Sequence, residues 1–195
     1  MNIYAYYQSI PASNQAEEFQ CANYWKESWT KAGWTPVMLN RSHAQNSQMY
    51  NKLQQKLAAT FHHDQRLVAR AAWHHARFTR WCALHAAGGG WMSDYDVLNV
   101  GLDPKAAWNA VQDSGKTLLA NDGPAYLVYA TAEHCLAAIR KMIADELVVD
   151  GVLIPEHKVV LASILPDTVL EGVLHCNLTP SSSSEMADHW SSVTA

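Results

Sequence analysis

Charge is scarce in this chain: only 16% of its 195 residues are Asp, Glu, Lys or Arg, and no long run of either sign occurs. Fourteen basic against eighteen acidic residues leave a net charge of −4, without the basic footprint that a nucleic-acid backbone requires. Long apolar runs are also missing. None approaches the ~20 residues of a membrane helix, and the start Met1-Asn2-Ile3-Tyr4 has neither the basic region nor the apolar stretch of a secretory leader. The four cysteines, Cys21, Cys82, Cys135 and Cys176, form no C-x-x-C pair, which excludes zinc ribbons and thioredoxin-like redox motifs. They read as buried thiols in a reducing compartment, so a cytoplasmic protein is expected, without nucleic-acid partners or an integral membrane segment. There is no Walker loop, no G-x-G-x-x-G, no Ser/His/Asp order and no internal repeat.

What is present is enough apolar material, 49% of the residues, for one sizeable core. Ile3 to Tyr7 reads as an opening strand, and Asn14 to Ala32 as a helix with Asn14 as cap and an apolar row Phe19, Ala22, Trp25, Trp29 ending at Gly33. Thr35 to Leu39 is a second strand. Tyr50, Leu53, Leu57 and Phe61 mark a second helix. A long helical pattern from Asp64 to Ala87, with a break expected near His74, stops at Gly88-Gly89-Gly90. Strand character resumes at Trp91 and runs to Leu98. A helix follows from Asp103-Pro104 to Ser114, then strands at 118–120 and 126–129 around the turn Asn121-Asp122-Gly123-Pro124. Thr131 to Leu147 is helical, 159–164 is ambiguous, 169–176 is a strand, and a polar tail follows residue 178. The alternation predicts one α/β domain over 1–178 with a mostly parallel sheet, ligands at the carboxyl ends of its strands, and a mobile tail over 179–195.

The chemistry is concentrated in residues 77–97. If Asp94-Tyr95-Asp96 is extended, its period of two sets both carboxylates on one side and Tyr95 on the other. Two like charges so close call for a cation, and hard oxygen ligands suit Mg²⁺ or Mn²⁺. An acidic protein would use such a metal to accept a diphosphate. The plain alternative is a solvated turn, since two acids two apart occur by chance in many chains. The doublets His62-His63 and His74-His75 are read as structural or solvent-facing, because His74 and His85 would be about 16 Å apart along a helix, too far for one ion. Most of the tryptophans are expected in the core, with Trp34, Trp81 and Trp91 as candidates to line a sugar site.

Arg80-Trp81-Cys82-Ala83-Leu84, then Gly88-Gly89, an apolar turn and Asp94-Tyr95-Asp96-Val97 resemble the DXD glycosyltransferases of GT-A fold, in the sugar-binding-region group with mannosyltransferases and capsular polysaccharide transferases. Tyr7-Gln8-Ser9-Ile10, Ser28-Trp29 and Gly33-Trp34-Thr35-Pro36 are similar to that group's first strand end, Ser-Trp pair and following strand. Val173-Leu174-His175 looks like its late strand. Two departures stand out: one extra residue between Gly88 and Asp94, and Arg77 where the group carries an acid.

The resemblance implies a Rossmann-like GT-A domain that transfers a sugar from a nucleoside diphosphate sugar to a glycan, lipid or protein hydroxyl. It implies Mn²⁺ or Mg²⁺ held by Asp94, Asp96 and His175, and a donor bound by Tyr7, Gln8, Arg80, Gly89, Asp94 and Tyr95. Trp91 and Asn121 fall on the acceptor side, and Asp94, Asp96 and Asp122 carry the catalytic roles. Each has a plainer reading: Arg80 as a surface charge, His175 as a core histidine, Asp122 as a turn residue. Two other functions compete. A haloacid-dehalogenase-type phosphohydrolase also uses D-x-D after a strand, but its fifth-position Thr or Val is missing here. A non-catalytic relative that binds nucleotide sugar or glycan would tolerate Arg77.

Overall fold

The structure, a computed structural model, describes residues 1–10, 15–62, 71–114, 127–149, 152–154 and 173–175, the last three for their backbone. Its strands are β1 (Asn2–Tyr6), β2 (Thr35–Leu39), β3 (Gly89–Ser93), β4 (Val97–Asn99), β5 (Leu127–Thr131), β6 (Val148–Val149), β7 (Val152–Leu153) and β8 (Val173–His175). Its helices are α1 (Gln15–Lys31), α2 (Arg41–Gln45), α3 (Tyr50–His62), α4 (Ala71–Ala86), α5 (Pro104–Ser114) and α6 (Ala132–Ala144). The main sheet has the order β2-β1-β3-β5. β1 runs parallel to both β2 and β3, and β5 is antiparallel to β3. The sheet is thus mostly parallel, with one reversed edge strand, and β4–β8 and β6–β7 form two small antiparallel pairs.

Strand alternation divides the core into two layers. Ile3, Ala5, Trp91 and Leu127 face one side, where Trp25 and Trp29 of α1 and Ala107 and Val111 of α5 cover them. Tyr6, Met92, Val128 and Ala130 face the other, under Leu53 and Leu57 of α3, Phe78 and Trp81 of α4 and Ile139 of α6. The product is a helix–sheet–helix sandwich. Among the described residues no helix is long and apolar enough to cross a membrane.

Several expectations are met at the residue level. β2 has the predicted bounds, and the four apolar positions of α3 are all buried. Asp103 caps α5, its Oδ1 accepting from Lys105 N and Ala106 N at 2.8 and 3.0 Å. Others are corrected. α4 runs unbroken through His74, whose ring stacks on Phe61 5.7 Å away. α1 buries Glu18, Cys21, Trp25, Ser28 and Trp29, whereas Phe19 is 68% exposed. The buried row keeps Trp25 and Trp29 of the expected one but takes Glu18 and Cys21 in place of Phe19 and Ala22. α2 was not predicted. Asn40 nucleates it with a reciprocal cap, Oδ1 accepting from Ser42 N and His43 N while Asn40 N donates to His43 Nδ1. The Asn14 cap, the 118–120 strand, the Asn121-Asp122 turn, residues 159–164 and the 179–195 tail lie outside the described residues.

The glycines do more than stop a helix. Gly88 ends α4 with φ +91°, its N–H bonded to His85 O at 3.1 Å. Gly89 opens β3 with φ +83°, and a Cβ there would lie 2.5 Å from Ala130 O and 2.6 Å from Ala132 N. Only a hydrogen fits against the β5–α6 corner. Gly89→Ala should therefore cost about 2–4 kcal/mol in urea unfolding, against about 1 kcal/mol for Gly88→Ala, where a Cβ meets nothing. Equal losses would show that the close approach at Gly89 is not limiting.

Cys21, Cys82 and Cys135 are buried thiols. Burial pushes the Cys82 thiol up to about 11 and that of Cys135 up to about 12 from 9.0. In the unfolded chain both lose their protons near pH 9, while the folded protein keeps them. Stability should therefore fall as pH rises from about 9 toward about 11, read as a declining urea midpoint. Alkylation mapped by mass spectrometry at pH 8 should spare these three thiols until the protein unfolds; fast native labelling of Cys82 or Cys135 would contradict their burial.

Candidate ligand site at the sheet switch point

From β1 the chain crosses to β2 on one side and later returns to β3 on the other, so the sheet reverses its winding between β1 and β3. At such a point the connections leave in opposite directions and open a crevice beyond the carboxyl ends, where open α/β sheets take their ligands. Tyr7 and Gln8 follow β1 there, and Asp94, Tyr95 and Asp96 follow β3. The Tyr7 backbone is fixed by its N–H on Leu39 O at 2.9 Å.

The acidic segment is a turn. β3 ends at Ser93, Val97 N donates to Asp94 O at 3.1 Å, and β4 starts at Val97. This corrects the expected extended strand: period-two alternation does not apply across a reverse turn. The turn is not a solvated one either, since all three of its side chains are half-buried.

Helix α1 holds the turn from both ends. Trp25 Nε1 donates to Ser93 Oγ at 2.8 Å and Trp29 Nε1 to Val97 O at 3.0 Å. Farther along, Ser28 Oγ accepts from Asn99 N at 3.2 Å, and Trp34 Nε1 donates to Leu102 O at 2.9 Å. The three indole bonds share one sequence separation, 68 residues, so the α1–β2 stretch and the β3–β4 stretch run side by side. Trp29, Trp34 and Trp91 then pack edge to face, at centroid separations of 5.3 and 5.9 Å.

Two further groups shape the turn. Arg80 of α4, only 5% exposed, forms an ion pair through Nη1 with Asp94 Oδ1. The reading of Arg80 as a surface charge is thereby removed, and its contact in this structure is a carboxylate. Glu18 is the residue that sequence reasoning missed: it is buried on α1 and accepts a hydrogen bond from Tyr7 Oη at 3.0 Å. Its signal was present in the spacing Glu18, Cys21, Trp25, Ser28, one helical row. The Tyr7 ring meets Tyr95 edge to face at 5.6 Å. Burial first, then the charges of Glu18 and Asp96, push the Tyr95 hydroxyl far above its ordinary value, so it stays a protonated donor.

Tyr7, Gln8, Arg80, Asp94, Tyr95 and Asp96 are thus gathered at one end of the sheet. Gly89 is not: it opens β3 at the opposite end and packs on the β5–α6 corner. Trp91 (1% exposed), Trp81 (0%) and Trp34 (3%) are inside the two core layers, which corrects their assignment to a sugar-facing surface. Trp91 on β3, Trp81 on α4 and Trp34 in the α1–β2 connection all point inward, where their apolar area is removed from water. Asn121 and Asp122 lie outside the described residues. His175 is described by its backbone, which pairs with Val97, the residue after Asp96. Among the described residues no group of three or more His, Cys, Asp or Glu converges to hold a metal ion. The oxygen donors of Asp94 and Asp96 suit a hard cation in kind, as a partial shell that ligand oxygens would complete. Comparison with protein-family models, curated proteins and solved structures gives no match.

The clamp on the turn is testable by itself. Trp29→Phe keeps the ring packing but removes the donor to Val97 O. It should cost about 1–3 kcal/mol in denaturant unfolding. An unchanged midpoint would show that this indole bond does not hold the turn.

Proposed function

We propose that the protein is a metal-dependent glycosyltransferase of GT-A-like fold that moves a sugar from a nucleoside diphosphate sugar to a hydroxyl acceptor. The observation that carries this reading is the meeting of a half-buried acidic turn, Asp94-Tyr95-Asp96, with Tyr7 and Gln8 at the switch point of a mostly parallel sheet. The resemblance of residues 77–97, which contain this turn, to the DXD transferases supports it. Three buried thiols, Cys21, Cys82 and Cys135, are consistent with a cytoplasmic setting.

In this reading Asp94 and Asp96 would hold Mn²⁺ or Mg²⁺, with His175 as the remaining protein ligand. When bound, the metal stabilises charge on the departing diphosphate. The chain's own residues do the positioning. Arg80 holds the Asp94 carboxylate in one orientation, and the α1 indoles keep the turn from collapsing away from the crevice. Glu18 fixes the Tyr7 hydroxyl, so that Tyr7 and Tyr95 present a rigid aromatic wall to the donor. Asp122 and Asn121 keep their proposed place on the acceptor side.

Asp96→Ala should abolish metal-dependent turnover of nucleotide sugars. The melting temperature should stay level or rise slightly, because the substitution relieves repulsion from Asp94. Calorimetry should show weak Mn²⁺ binding alone and tighter binding with nucleoside diphosphate, since the diphosphate completes the oxygen shell. Retained turnover in the variant would reject the metal role. Nucleotide-sugar binding without any transfer would favour the non-catalytic relative, and phosphate release from a phosphomonoester would favour the phosphohydrolase.

A further inference from the structure

A second cluster of polar side chains lies at the same end of the sheet, on the face opposite Tyr7. Arg41 follows β2 directly, is exposed, and donates from Nε to Tyr50 Oη at 2.8 Å. Tyr50 is itself buried at the start of α3. Tyr6 Oη donates to Gln8 Oε1 at 2.9 Å. Tyr6 and Tyr50 pack in the same core layer, which brings the Arg41–Tyr50 and Tyr6–Gln8 pairs together, and the Tyr6 hydroxyl feels the charges of both Tyr50 and Arg41.

The cluster has a surplus of donors. A guanidinium carries five N–H groups; those on the two Nη atoms of Arg41 meet no acceptor among the described residues, and no described Asp or Glu pairs with it. Tyr50 Oη accepts from Arg41, so its own hydrogen is unspent. Gln8 uses its oxygen for Tyr6, which leaves its amide N–H groups unspent. A neutral sugar would need acceptors as well as donors, and a cation would meet the guanidinium charge. A tetrahedral anion with several acceptor oxygens matches a planar fork flanked by hydroxyl and amide donors.

We propose that Arg41, Tyr50 and Gln8 form a binding site for a phosphoryl group at the carboxyl ends of β1 and β2. The site acts without a metal and does not depend on sugar transfer. Its Arg41 follows β2, two strand spacings, about 10 Å, from β3, which leads into the acidic turn.

Titration calorimetry in metal-free buffer, with inorganic pyrophosphate, uridine diphosphate and guanosine diphosphate as separate ligands, tests this. Pyrophosphate should bind the parent protein, and Arg41→Gln should weaken it by about tenfold or more. Arg41 is exposed, so this variant should keep the parent melting temperature. Tyr50→Phe, which keeps the positive charge but loses the hydroxyl, should give a smaller loss. Asp96→Ala should bind pyrophosphate as well as the parent does, so failure of the transferase reading leaves this result intact. Tighter binding of a nucleoside diphosphate with the same Arg41 dependence identifies a nucleotide phosphate as the ligand; equal affinity identifies free diphosphate. Absence of pyrophosphate binding to the parent, or unchanged affinity in Arg41→Gln, would overturn the site.

Discussion

Two indole N–H groups on α1 are the constraint on which the carboxyl end of the main sheet, with its candidate site, depends. A buried indole N–H is costly to leave without an acceptor, and Trp25 and Trp29 place theirs on Ser93 and Val97, the residues bracketing the Asp94-Tyr95-Asp96 turn, whereas the buried indoles of Trp81 and Trp91 meet no acceptor among the described residues. The same two rings fill the core between α1 and the sheet, so the apolar packing of the helix and the position of the acidic turn are one problem with one solution. Rotating α1 to bury Phe19 would break both bonds, and this is why Phe19 is left in solvent.

The end of β1 then divides the chemistry between the two faces of the sheet. Tyr6 turns toward α3 and α4, into the core layer that also holds Tyr50, and donates to Gln8; Tyr7 turns toward α1 and meets Glu18 and Tyr95. One face is a donor-rich cluster with a cation, the other an acidic and aromatic one. Arg80 crosses between them, since it springs from α4 and pairs with Asp94. An acidic chain thereby keeps a positive group at each flank of β1, which a phosphate-bearing ligand needs and which net charge by itself does not reveal.

Much of this fold was legible in the sequence where a long periodic signal met an unambiguous stop. α3 is read from four apolar positions at helical spacing, β2 from the short segment Thr35 to Leu39 after Gly33, and α5 from Asp103-Pro104. Short or composite signals were less legible. α2 is five residues long and depends on a reciprocal Asn40–His43 cap, in which His43 replaces the usual Glu or Gln. The alternating look of Ser93 to Leu98 suggested one strand, but a reverse turn inside it inverts the chain. Glu18 was passed over because an acid in the first turn of a helix ordinarily faces water.

The sequence by itself determined the class of fold, the positions of most elements, and the concentration of chemistry around Arg80 and Asp94 to Asp96, because periodicity and turn chemistry are local. Tertiary structure alone decided which side chains share a site. It carried Gly89 and Trp91 away from the candidate site, brought Glu18 and Arg41 to the same end of the sheet, and turned Arg80 from a surface candidate into a buried ion-pair partner. The physical reason is that hydrogen-bond pairing and desolvation depend on distances through space. Here those distances are set by a constant 68-residue offset between segments that no local window contains.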